Sequence, residues 1–202
     1  MLINLIWSCI LVPLYIMFGY TKLFRNRLCL VGFLMALCAL LNNREHYLRN
    51  PGTGLWTSYI VNCFMRQYLF LDLVEIIYQG FINKTIIRKD LVFHHLFCLI
   101  PFHISLDTFT MTFVTINEVL SIGPLLFTNR QYQAMFRMLV IVLIRFPVWL
   151  QVFFTQSLLY NTYEDVTISH QYFATFTPLV MLYLDYCWFM KAKLIYSIQK
   201  ND

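Results

Sequence analysis

The sequence predicts an all-α transmembrane protein of about seven helices, and three observations carry that prediction. Of 202 residues, 59% are hydrophobic and only 12% charged, with a mean hydropathy of +0.63. A soluble domain of this length would leave too much apolar surface in water. The apolar residues gather into runs of about bilayer-spanning length, and the bases concentrate in alternate connections between those runs, as cytoplasmic loops require.

The runs lie near 1–20, 28–42, 59–79, 91–105, 108–127, 134–156 and 172–190. No base precedes the first and it lacks the small residues of a cleavage site, so it is read as a retained helix and not as a signal peptide. The second and fourth fall short of the ~20 residues that span a bilayer, which predicts little tilt, a kink, or a thinned bilayer around them. The third carries Asp72, the fourth the pair His94 and His95, the fifth Glu118, the sixth Arg145 and the seventh Asp185. Pro101, Pro124, Pro147 and Pro178 interrupt four of the runs. Each releases backbone carbonyls, which is tolerated where side chains or cavity water bond them.

Lys22, Arg25 and Arg27 follow the first run, Lys84, Arg88 and Lys89 the third, Arg130 the fifth, and Lys191, Lys193 and Lys200 the seventh. The alternate loops hold Arg44 and Arg49, with Glu164 and Asp165 between the sixth and seventh runs. Ten bases against two place the amino terminus outside or in a lumen and the carboxyl terminus in the cytoplasm. The net charge of +5 then reads as cytoplasmic flanks against anionic headgroups. No nucleic-acid surface is expected, because no soluble region interleaves bases with aromatics. The sequon Asn83-Lys84-Thr85 falls in a cytoplasmic loop and is expected to carry no glycan. The chain divides into residues 1–41 with the first two helices, a core of 42–198 that helix 2 also joins, and a short cytoplasmic tail, 199–202.

An ionisable side chain at the centre of a membrane helix costs on the order of 2.5 to 3.5 kcal/mol unless it finds a partner or a wet cavity. Such residues therefore mark where the chain works. A turn near Leu106 and Asp107 puts His94 and Glu118 each roughly 18 Å below the outer surface at 1.5 Å per residue. Asp72 and Asp185 come out about 20 Å down, and Arg145 roughly 16 Å up from the cytoplasmic end of its helix. All five are expected in one layer. Helical spacing sets Asp90, His94 and Cys98 on one face, and Glu118 with Ser121 on another. A carboxylate that accepts one imidazole N–H fixes the tautomer and leaves the other ring nitrogen as base or nucleophile. His94, His95 and Glu118 are the candidate catalytic residues, with unequal roles for the two histidines, which point about 100° apart around the helix. A structural reading competes with this one: both rings satisfied by Asp90, Glu118 or backbone, and Arg145 locked to Asp185 between helices. The six cysteines show no CxxC spacing and read as packing residues, with no metal site.

These residues resemble the TLC-domain family of multi-pass membrane proteins, which includes the ceramide synthases and several non-synthase relatives. The resemblance spans roughly Asn42 to Ile198. It rests on Asn50-Pro51, Tyr68 with Asp72, the pair His94-His95, Glu118 with Ser121, Arg145 in an aromatic-rich helix, and the closing Asp185-Tyr186-Cys187-Trp188-Phe189. It implies a bundle of six helices around a lipid-sized cavity, with one further helix, the first, outside. It also implies that Asp72, Asn117, Ser121, Arg145 and Asp185 bind substrate, and that the compartment is the endoplasmic reticulum or another endomembrane. Ceramide synthases follow the double histidine with a polar stretch and then a His-Asp pair. This chain has Leu96-Phe97-Cys98-Leu99-Ile100, then Asn117-Glu118, which disfavours ceramide synthesis and resembles the non-synthase branch, tied to phospholipid composition, lipid sensing or trafficking.

Two functions remain open. One is a membrane-embedded enzyme of lipid or sphingolipid metabolism, most simply an acyl transfer with acyl-CoA as co-substrate and no bound cofactor, in which His94 or His95 removes a proton or takes the acyl group. The other is a non-enzymatic lipid-binding, lipid-homeostasis or trafficking protein that uses the same cavity. Membrane lipids are the expected partners under both.

Overall fold

The computed structural model describes residues 2–19, 21–42, 56–84, 86–103, 108–160 and 168–200, and every regular element among them is helical. Seven helical segments follow one another. They are α1 (Leu2–Phe18), α2 (Lys22–Asn42), α3 (Trp56–Ile82), α4 (Lys89–His103), α5 (108–126), α6 (130–160) and α7 (Ile168–Lys200). The expected turn at Leu106 and Asp107, the Asn50-Pro51 element, and Glu164 with Asp165 lie outside the described residues.

Helix α2 is not short. It starts at Lys22, well before the apolar run at Leu28, because the Thr21 hydroxyl accepts the Phe24 N–H at 3.4 Å and no breaker follows. Helix α4 stays short, at 15 residues. Two segments, Lys22–Asn42 and Arg130–Phe154, are long and apolar enough to cross a membrane. Both are mostly uncovered by the rest of the fold, with 28% and 33% of their apolar windows buried.

Two of the four prolines coincide with a change of winding, whereas Pro101 and Pro178 lie within the unbroken α-helices α4 and α7. Helix α5 runs as Thr108–Thr115, tightens to a 3-10 winding over Ile116–Ile122 and resumes at Gly123–Leu126. Pro124 lacks an N–H, and its ring crowds the carbonyl of Leu120, which favours a changed winding in that turn. In α6 a π winding over Ile141–Arg145 joins Arg130–Val140 to Phe146–Tyr160, directly before Pro147, as π turns do near functional sites.

Helix α1 packs against α3, with Leu11 and Tyr15 buried and Trp7 edge-on to Phe64 at 5.0 Å. The resemblance set this helix outside the bundle, but here it takes part in the core. Cys29, Gly32, Ala36 and Ala39 form a small-residue stripe along α2, and a Cβ on Gly32 would stand 2.6 Å from Met65 Sδ. Small side chains at this spacing let α2 and α3 approach closely.

Alongside the apolar core, many large apolar side chains are exposed and several polar ones are buried. Ile86 is 94% exposed, Ile16 80%, Phe81 74% and Leu143 68%, while Arg145, Asp72, Asp185 and Asn117 are at or below 2%.

Candidate functional site

The two special windings aim the polar residues inward. In a 3-10 turn residues three apart eclipse, so Glu118 and Ser121 fall on one line along α5. The π winding ends at Arg145, which turns to meet Asp185 of α7: Nε donates to Oδ1 at 2.8 Å, and Nη2 lies 2.7 Å from the same oxygen. Trp149 Nε1–H takes Oδ2 at 3.0 Å, Arg145 Nη1 donates to the Asn117 carbonyl at 2.8 Å, and the guanidinium stacks over Trp188 at 5.4 Å. This is the interhelical lock that the structural reading anticipated.

Every residue expected at the site except Asp185 lines one cavity of about 110 Å³. Asp185 stands behind Arg145 and holds it. Among the described residues, this space by itself admits a headgroup or a carbonyl and not the whole lipid that the resemblance implies.

The histidines divide sharply. His95 Nδ1–H donates to the Leu91 carbonyl at 2.7 Å, and Nε2 meets Asp72 Oδ2 at 3.0 Å. Both contacts need a hydrogen, so His95 and Asp72 share a proton between Nε2 and Oδ2 whichever atom carries it. Asp72 is saturated in turn, its Oδ1 approached by Arg25 Nε at 3.2 Å and Tyr15 O–H at 3.4 Å. His94 is held loosely. Its Nε2 is 3.9 Å from Glu118 Oε1, beyond a hydrogen bond, and Nδ1 is 3.8 Å from Cys98 Sγ. Its ring is wedged edge-on against His95 and Trp188, each at 5.4 Å.

Asp90 does not serve either imidazole, against the face argument that grouped it with His94. It is bound instead by Arg88 and by Trp188 Nε1–H at 3.0 Å. Burial raises its pKa, but the bonds and charge of Arg88, with those of Trp188 and the Leu91 N–H, outweigh this and hold the carboxyl below its usual range.

Asn117 completes the site. Both ends of its amide are buried with no hydrogen-bond partner among the described residues, a costly arrangement. Donors, an acceptor and an imidazole therefore face one polar space, with the Cys29 thiol beside Tyr68 O–H at 2.9 Å and within reach of Ser121 and Glu118.

Sequence reasoning missed Tyr15, Arg25 and Cys29 as members of the layer, and Lys22, Arg88 and Arg137 as cavity lining. Lys22, Arg25 and Arg88 are accounted for by the topology count, and Arg137 lies inside an apolar run where sequence reasoning gave it no role. Tyr15 sits in an apolar run with no charge beside it, so nothing in the sequence singled it out.

Comparison with protein-family models, with curated protein sequences and with solved structures finds no match to this chain.

Proposed function

We propose that this chain is a multi-pass endomembrane protein of TLC type that takes the polar part of a lipid into the cavity and transfers an acyl group there. The apolar exterior around buried ions supports the membrane placement. The observation that carries the chemistry is the unfilled set of polar groups at the cavity: His94 without a close partner, and the Asn117 amide unbonded.

His94 Nε2 takes a proton from the acceptor amine or hydroxyl as that nitrogen or oxygen bonds the acyl carbon of a thioester such as acyl-CoA. Asn117 Nδ2 donates to the carbonyl oxygen as it becomes an oxyanion, with the positive charge of Arg145 beside it. The thiolate leaves, and the imidazolium returns the proton to it. Glu118 stabilises the transient imidazolium once the 3.9 Å gap closes around substrate. His95, Asp72 and Asp185 are positioning residues. Ceramide synthesis is not the favoured reaction, since Asn117-Glu118 stands where the resemblance calls for His-Asp.

The same 3.9 Å gap and the small cavity favour a second reading, a lipid-binding protein in which the cavity holds a headgroup without turnover. Mass spectrometry of lipids copurifying with the full chain separates the two. A covalently attached or cleaved acyl group supports transfer, whereas only intact phospholipid or sterol supports binding.

A further inference from the structure

We propose that the open end of the cavity is a binding site for the phosphate of an anionic phospholipid, gripped by Lys22 and Arg137 with Arg130 beside them. This goes beyond the acyl-transfer reading and rests on it only for the membrane placement.

Lys22 and Arg137 line both the cavity and an adjoining pocket of about 420 Å³. That pocket adds Arg130 from the first turn of α6 and an apolar wall of Ala192, Ile195 and Ile198 from α7. Lys22 stands in the field of Arg137, Arg88, Arg25 and Arg130. Two of these bases are answered by the protein, Arg25 by Asp72 and Arg88 by Asp90. Among the described residues, no carboxylate stands within ion-pair distance of Lys22, Arg130 or Arg137. Asp90, whose charge acts on Arg137, is already taken by Arg88 and Trp188.

Helix ends add to the imbalance. Helix α2 begins at Lys22 and α6 at Arg130, and neither carries an acidic residue in its first turn, so the positive dipole ends, capped only by the neutral side chains of Thr21 and Asn129, add to the charge of the two bases they carry. Like charges gathered without counterions oppose folding. A phosphate relieves them, because its oxygens accept charge-assisted bonds from several bases at once. The apolar wall opposite distinguishes a lipid from a soluble phosphate: the bases take the headgroup, and Ala192, Ile195 and Ile198 take the root of the acyl chains.

The test is binding of dioleoyl phosphatidic acid to the full-length protein in neutral detergent, followed by native mass spectrometry. Dioleoyl phosphatidylcholine is the lipid control and inorganic pyrophosphate the soluble phosphate. Phosphatidic acid is expected to bind in preference to phosphatidylcholine and to resist excess pyrophosphate. Charge removal by Lys22→Gln with Arg137→Gln should weaken it roughly tenfold or more. The charge-preserving Lys22→Arg with Arg137→Lys should retain most binding, and Lys191→Gln with Lys193→Gln, which removes equal charge outside both pockets, should change it less than about twofold. His94→Gln should leave it untouched, so loss of acyl transfer and loss of this site are read separately. Equal binding of the two lipids, displacement by pyrophosphate, or equal weakening by the Lys191 and Lys193 pair would each overturn the proposal, the first two without any variant needing to fold.

Discussion

On the Asp72 side of the polar layer every strong donor and acceptor meets the protein, whereas on the Glu118 side His94 meets only a carboxylate at 3.9 Å and a thiol at 3.8 Å. The two histidines are neighbours on one helix and nearly equally buried. Their difference comes from the direction each ring points: His95 toward α3, where Asp72 waits, and His94 toward the 3-10 turn of α5. An imidazole with both nitrogens engaged contributes rigidity, and one with a nitrogen facing a cavity remains available for a ligand.

The largest effect is expected where the layer is most tightly closed. Asp185→Ala strands Arg145 at 1% exposure and should cost about 3–5 kcal/mol, seen as a lower thermal midpoint in detergent and a poor yield of folded protein. A midpoint within a degree or two of the parent would show that the lock is not structural.

His95→Gln comes next. It breaks the bond to Asp72, leaves a carboxylate short of one partner, and should cost about 1–3 kcal/mol, with lipid turnover per folded molecule falling only as far as the cavity loosens. His94→Gln should be the reverse, changing stability by under about 1 kcal/mol while abolishing turnover. If the two variants lose stability equally, the division between the halves fails.

The smallest effect tests the rim. Because the Asp90 pKa is depressed, its carboxylate stabilises the fold above the unfolded value of about 3.9, and that contribution is lost as pH falls through the lower folded value. Asp90→Asn should therefore lower the midpoint slightly at pH 7, with the gap to the parent closing as the pH falls below about 4. A constant gap across that range would assign the effect to packing against Trp188.

Much of this layer was legible because burying charge in a greasy segment is expensive, which made Asp72, His94, Glu118, Arg145 and Asp185 conspicuous. Helical rise grouped the five; Asp72, His94, Glu118 and Arg145 line one cavity and Asp185 holds Arg145 from behind, while Pro124 and Pro147 marked the turns that changed winding. Partner choice was not legible. Rotation about a helix axis decides whether Asp72 serves His94 or His95, and a run's spacing does not fix how two helices are rotated against each other. Arg25 is a second case, since a base near a helix end satisfies the topology rule whether it points to water or inward to Asp72.

The central claim is that His94, and not His95, does the lipid chemistry. Comparative lipid mass spectrometry tests it directly, on cells carrying no protein, the parent chain, His94→Gln or His95→Gln, each normalised to folded protein in the membrane. The account predicts that His94→Gln returns the lipid profile to that of cells without the protein, while folded His95→Gln retains part of the parent's change. A parent-like profile from well-folded His94→Gln would contradict it.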